Sequence, residues 1–235
     1  MYIIGVFGRS GAGKSTLSKK LAESLGGVYL DVDKYWRNLY YSDYCQKIIV
    51  PLLRKDKNLV KPDDAVDDGV VRVKDLKVSA GLAKFNRKFL YKYLNYRVNR
   101  KLKKVDTNVI VIDHINFPQF DAYKKADFVI YVNTPSEVCQ KNVMKRDYIT
   151  KERMDFLVEN KIVECHNEFD SMPRDYSISA FSDDFEGAYQ KMVGIIKEGM
   201  INKEIQTKAK ASQIVDYITT RHINLEEACA LPREK

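Results

Sequence analysis

Short, wholly apolar blocks alternate along the chain with stretches whose apolar residues recur at helical spacing. Tyr2 to Phe7 (YIIGVF) predicts a strand, a glycine loop follows, and Ser15 to Leu25 has the helical period until Gly26 and Gly27 end it. Val28 to Val32 (VYLDV) predicts a second buried strand and completes a βαβ unit. Val109 to Asp113 (VIVID), Phe128 to Val132 (FVIYV) and the shorter Ser177 to Ala180 complete a set of five. Strands apolar on both faces belong to a parallel sheet covered on both sides, so the expected class is α/β with a five-stranded parallel sheet flanked by helices.

Helices fill the intervals. Tyr35 to Leu53 is aromatic-rich and reads as helical, Arg54 to Asp68 is charged and reads as a connection, and Asp75 to Lys104 reads as a long basic helical insert over the sheet. Ser136 to Arg146 and Lys151 to Asn167 are expected as two helices broken at Asp147 to Thr150. Ser182 is a candidate cap for a last core helix, Asp184 to Glu198, and Lys203 to Thr220 and Leu225 to Ala230 predict two further helices around a turn at Asn224. The expected domains are a core over residues 1–200, with a helical cover near 60–105 and a lid near 137–170, and a helical extension over 201–235.

The glycine loop carries the chemistry. Gly8-Arg9-Ser10-Gly11-Ala12-Gly13-Lys14-Ser15 matches G-x-x-x-x-G-K-[ST] between a strand and a helix, which is the context of a phosphate loop. Glycines let backbone N–H groups turn inward against phosphate oxygens, and the helix N-terminus adds partial positive charge. ATP is the expected ligand of Gly8 to Thr16, with Lys14 bridging the β- and γ-phosphates and the Ser15 hydroxyl ligating Mg²⁺. Water-activating hydrolases commonly carry glutamate after the strand-terminal aspartate, but Asp113 is followed by His114. No N-K-x-D or L-S-G-G-Q motif is present either, so a phosphotransferase is preferred to a motor, switch or transporter ATPase. A kinase needs a carboxylate beside its acceptor hydroxyl. Asp31 and Asp33, two apart at the end of the second expected strand, are expected on one side of it and at the crevice outside the strand ends, with Asp33 as base and Asp31 supporting it.

Composition adds limits. With 235 residues and 45% hydrophobic side chains the chain can bury a full core. Its apolar runs are strand-length, and no leader or signal peptide is visible before the loop, so a soluble cytoplasmic protein is expected. Cys45, Cys139, Cys165 and Cys229 are scattered and read as reduced thiols; His114, His166 and His222 read as ordinary polar residues rather than a metal cage. The net charge of +8 suits a phosphate-rich ligand or a nucleic acid, and Arg97 to Lys104 (RVNRKLKK) reads first as a solvated helix face.

These motifs resemble the dephospho-coenzyme A kinase family over about Met1 to Gly199. The loop from Gly5 to Ser15 is similar to the family's opening, and Asp31-Val32-Asp33-Lys34-Tyr35-Trp36-Arg37 resembles its D-A-D-x-x-x-R element. Asp68-Gly69 followed by Lys74 to Leu102 resembles its acceptor cover, and Tyr131 to Glu137 followed by Lys145-Arg146-Asp147 resembles its lid entry. The resemblance implies transfer from ATP to a small nucleotide-like acceptor, with Asp33 as base, Arg37, Asp31 and Asp113 at the acceptor, and Arg146 on the ATP phosphates. The family's Thr-His-Pro element meets Leu94-Asn95-Tyr96, its D-x-P-L-L element meets Asp113 to Phe117, and its lid R-x-x-x-Q pair meets Leu157 and Lys161. Two alternatives stay open: a uridine kinase-like or other nucleoside or nucleotide kinase, and a nucleotide-binding regulatory or nucleic-acid-associated protein. The oligomeric state is not legible.

Overall fold

The computed structural model describes residues 1–40, 66–67, 70–71, 84–159 and 170–229. They fall into two compact units, Met1–Gln190 and Lys191–Lys235. In the first, β1 (Tyr2–Gly8) is buried at all seven residues, because YIIGVFG offers apolar side chains to both sheet faces. Full burial of Ile4, Val6 and Phe7 contributes roughly 1.5–3 kcal/mol each. The chain continues through α1 (Lys14–Ser24), β2 (Val28–Asp31) and α2 (Val32–Tyr40), then a short antiparallel pair, β3 (Val66–Asp67) with β4 (Val70–Val71). Next come α3 (Lys84–Leu102), β5 (Val109–Asp113), β6 (Phe128–Val132), α4 (Ser136–Asp147), α5 (Lys151–Glu159), β7 (Tyr176–Ile178) and α6 (Phe185–Cys229).

The main sheet has five parallel strands in the order β2-β5-β1-β6-β7. The five-stranded parallel sheet is the expected one, although β1 and β2 are not neighbours, since β5 pairs with both. That order brings Asp31 and Asp113 side by side in register at the ends of β2 and β5. Carboxylates fasten the opposite ends: Asp127 accepts the N–H of Ile3 at 2.8 Å and Asp175 that of Val129 at 2.7 Å. Over one face, Phe117 packs so closely on Gly5 that a Cβ there would stand 1.8 Å from its ring.

Helix α1 ends as its glycines predict. Gly26 adopts φ 60°, its N–H bonds Glu23 O, and the Gly27 N–H reaches back to Ala22 O at 2.8 Å, the paired closure of a Schellman turn. Helix α4 ends on Tyr148 at φ 53°, an exposed left-handed residue, which makes the expected break before α5.

Three expectations are corrected. Asp33 does not continue the second strand: β2 stops at Asp31, whose carboxylate accepts the Lys34 N–H at 3.1 Å and so caps α2, leaving Asp33 in that helix's first turn. The side-sharing argument from strand alternation therefore does not apply to the pair. Ser182 meets α6 through its backbone, with its carbonyl accepting the Phe185 N–H while its hydroxyl donates to Ser179 O. There is no turn at Asn224, because α6 is one helix of 45 residues, its period carried on by good helix formers without glycine or proline between Met200 and Cys229. In the second unit, Lys208 pairs with Glu204 one turn back at 2.8 Å. Among the described residues no helix is long and apolar enough to cross a membrane. Residues 41–65, 72–83 and 160–169, which include much of the expected cover and part of the lid, lie outside the described residues.

Candidate active site at the phosphate loop

Glycine at three loop positions is dictated by geometry. Gly11 (φ 80°) and Gly13 (φ 93°) take left-handed backbone, and a Cβ on Gly11 would lie 2.3 Å from Cys139 O. A Cβ on Gly8, at φ 146°, would lie 2.6 Å from Val132 O. The loop is held by side chains from the turn after β6 and from α4. Thr134 Oγ1 donates to Ala12 O at 2.9 Å, and Asn142 Nδ2 donates to Gly11 O at 2.9 Å. Within α1 the first backbone bond runs from Leu17 N–H to Gly13 O, so the N–H groups of Lys14, Ser15 and Thr16 head the helix as donors.

Arg9, inside the loop motif, directs its side chain into the protein and is 5% exposed. It donates to Tyr131 Oη at 2.9 Å and to Asp170 Oδ2 at 3.2 Å, and Tyr131 Oη donates in turn to Asp170 Oδ1 at 2.7 Å. Burial and the bond to Asp170 push the Tyr131 phenol up to about 12. The Arg9 carbonyl accepts Lys14 Nζ at 2.8 Å. Ser10 lies half-buried in the same loop and Thr16 is exposed in the first turn of α1.

At the mouth of the loop, Ser15 Oγ donates to Asp113 Oδ2 at 2.6 Å, and the Tyr29 hydroxyl donates to the same oxygen at 3.2 Å. Burial raises the Asp113 pKa, whereas the Lys14 charge and the Ser15 hydrogen bond oppose that rise and Asp33 adds to it. Burial first, then Asp113, also raises the Tyr29 phenol. Asp33 thus lies in the field of Asp113. It also lies in that of Arg146, at the end of α4, whose guanidinium makes a two-pronged pair with Asp147 at 3.0 and 2.9 Å. The pairing with Asp147 leads the rise in the Arg146 pKa, and Asp33 contributes.

Ser15 bonds Asp113, Lys14 and Asp33 act on the Asp113 charge, and Asp33 acts on Arg146. Asp31 is adjacent through its strand register but serves α2 as its cap. The backbone of Arg37 belongs to α2, and its side chain lies outside the described residues, as do the side chain of Leu157 and the whole of Lys161.

Several residues of the site carried little sequence signal. His114 follows a strand-terminal aspartate, the position from which open α/β sheets present ligand-facing groups, and that position was its signal. Its Nε2 lies 3.8 Å from Asp33 Oδ1. Thr134 and Asn142 serve the loop through bonds spanning 122 and 131 residues, which no local pattern reports.

Solved structures share this architecture. TT1252 from Thermus thermophilus is similar over 84% of this chain and 97% of that one, with 16% identity and TM-score 0.58. A shikimate kinase from Bacteroides thetaiotaomicron is similar over 83% and 98%, with 16% identity and TM-score 0.45. A dephospho-CoA kinase from Campylobacter jejuni is similar over 84% and 96%, with 18% identity and TM-score 0.39. No curated protein is a significant match to the sequence. The AAA_18 family model, described as an AAA domain, matches residues 4–166, and the chain belongs to that family.

Proposed function

We propose that the chain is an ATP-dependent phosphotransferase that moves the γ-phosphoryl group to a hydroxyl of a small nucleotide-like acceptor, with dephospho-coenzyme A the first acceptor to test. The observation that carries this reading is the Asp33 carboxylate standing 3.8 Å from His114, the residue directly after the Asp113 that bonds Ser15 of the phosphate loop. A carboxylate in that position can accept the proton of an acceptor hydroxyl.

The roles follow from chemistry and position. The helix-heading N–H groups and Lys14 receive the β- and γ-phosphates. Asp33 accepts the proton of the acceptor hydroxyl, and Arg146 exchanges its pairing with Asp147 for the transferring phosphoryl oxygens as the lid closes. The donor set fits Mg²⁺, because the Ser15 hydroxyl and the Asp113 carboxylate are hard oxygen donors 2.6 Å apart. Ser15 would hold the ion directly, with Asp113 fixing Ser15. When bound, Mg²⁺ neutralises charge on the phosphoryl oxygens. Residues 1–200 are read as the catalytic core, with a lid near 137–170, and 201–235 as an extension.

The test is ADP formation by the full chain with Mg·ATP and a panel of dephospho-coenzyme A, uridine, deoxyadenosine and shikimate. Acceptor-dependent ADP from one of them is expected. ADP formation that ignores every acceptor contradicts a kinase, and turnover with a nucleoside but not dephospho-coenzyme A moves the assignment to a nucleoside kinase.

A further inference from the structure

His114 is buried, 3% exposed, with its ring edge-on to Phe120 at 5.0 Å between centroids. The Asn116 N–H donates to His114 Nδ1 at 3.1 Å, and Asn116 Nδ2 donates to the Tyr91 hydroxyl of α3. A ring nitrogen that accepts an N–H bears a lone pair and no proton, so the neutral imidazole carries its proton on Nε2. That nitrogen is the one facing Asp33 Oδ1, 3.8 Å away.

The distance is longer than a hydrogen bond. The His114 ring accepts the Asn116 N–H and stands edge-on to Phe120, and the Asp33 side chain is 49% exposed on the first turn of α2, so a rotation of Asp33 would close the gap. An N–H donor is directional and engages one carboxylate oxygen. Catalytic contacts of this kind commonly tighten only in the substrate complex.

We infer that His114 is a positioning residue for Asp33: its Nε2–H captures one carboxylate oxygen as the acceptor binds and turns the other toward the acceptor hydroxyl. The inference rests on the reading of Asp33 as base. It also gives a reason for a buried histidine directly after Asp113, which neither the phosphate loop nor the metal-side pair requires.

Ring-nitrogen NMR of the ¹⁵N-labelled full chain tests the geometry without turnover. The His114 signals, identified by their loss in His114→Gln, are expected to show an unprotonated Nδ1 and a protonated Nε2, and the Nε2 signal should move when the panel acceptor that gives turnover is added, without ATP, to wild type but not to Asp33→Ala. A proton on Nδ1, or an Nε2 signal that the acceptor moves equally in both proteins or in neither, overturns the inference. With the panel acceptor that gives turnover, His114→Leu should lower kcat by about tenfold, as for partners that orient a functional side chain, at unchanged KM for ATP. His114→Gln keeps an N–H donor at similar reach and should regain most of the loss; equal losses in both variants overturn the inference. Normal turnover in Asp33→Asn removes the base reading itself, whereas a loss there beside wild-type kcat in His114→Leu removes only the positioning role.

Discussion

Ser15 Oγ and Asp113 Oδ2 stand 2.6 Å apart, joining the first turn of α1 to the end of β5. The bond ties the helix that follows β1 to β5, the neighbour of β1 in the sheet, and it gives the buried carboxylate one of the two hydroxyl donors that offset its loss of water. Asp113 nevertheless has its pKa raised by burial, so its ionised form is penalised in the folded state.

That sign fixes a pH dependence. Above the raised pKa, Asp113 subtracts from stability; as pH falls through it toward the ordinary value near 3.9, the penalty disappears. Asp113→Asn keeps an oxygen that can accept from Ser15 and Tyr29, so without nucleotide it should have a higher Tm than wild type at pH 7.5. The gap should narrow as pH is lowered toward the ordinary carboxylate value near 3.9. Thermal scans of both proteins across that range check it, and a variant less stable at pH 7.5 contradicts it. With Mg·ATP at about 100 times Kd, wild type should gain about 2.7 kcal/mol, and the variant should gain less.

Gly11 and Gly194 are predicted to respond oppositely to alanine. Gly11→Ala adds strain at φ 80° and sets a methyl 2.3 Å from the Cys139 carbonyl, so it should destabilise by about 1–3 kcal/mol and abolish ATP binding. Gly194 lies inside α6 with nothing within 4 Å of an added Cβ, and Gly194→Ala should stabilise by about 0.5–1 kcal/mol. Denaturant unfolding and nucleotide titration of the two variants separate these effects.

Arg146 is predicted to act in turnover far more than in folding. Its pair with Asp147 is exposed, 61% and 30% at the two side chains, and contributes at most about 1 kcal/mol to stability. Arg146→Ala should leave Tm almost unchanged and reduce kcat by about a hundredfold or more through lost charge stabilisation of the transferring group. Arg146→Lys should restore only part, because a point charge cannot repeat the two-pronged contact. A kcat near wild type in Arg146→Ala would remove the lid assignment.

The basic stretch at the end of α3 tests the nucleic-acid alternative. Arg97 donates to the Tyr93 hydroxyl at 3.0 Å and lies over the Tyr35 ring at 4.9 Å, so part of that charge is engaged in packing α3 against α2. Affinity for single-stranded RNA or duplex DNA should be negligible at physiological salt. A Kd that is tight there and falls steeply with added salt would favour the alternative.

Much of the fold was legible because the central strands are pure signal. VIVID and FVIYV are short, β-branched and apolar on both faces, and β5 and β6 have the expected boundaries. The glycine loop was equally plain, since its required conformations admit few other residues. What escaped was decided by competition between local options. Asp31 could extend a strand or cap a helix, and the Lys34 N–H made capping the better use of its carboxylate, which drew Asp33 into α2. The tail seemed to pause at Asn224, but a single asparagine among helix formers costs too little to stop a helix. His114 looked like an ordinary polar residue because its partners, Asn116, Phe120 and Asp33, acquire meaning only once α2 and β5 are brought together.

The reading of Asp33 as the acceptor-side base is tested most directly by measuring ATP affinity and acceptor-dependent ADP formation side by side in wild type and Asp33→Asn. The predicted result is ATP affinity within about twofold of wild type, with transfer reduced by about 10²–10⁴-fold. Transfer at the wild-type rate, or a loss of ATP binding equal to the loss of transfer, would contradict it.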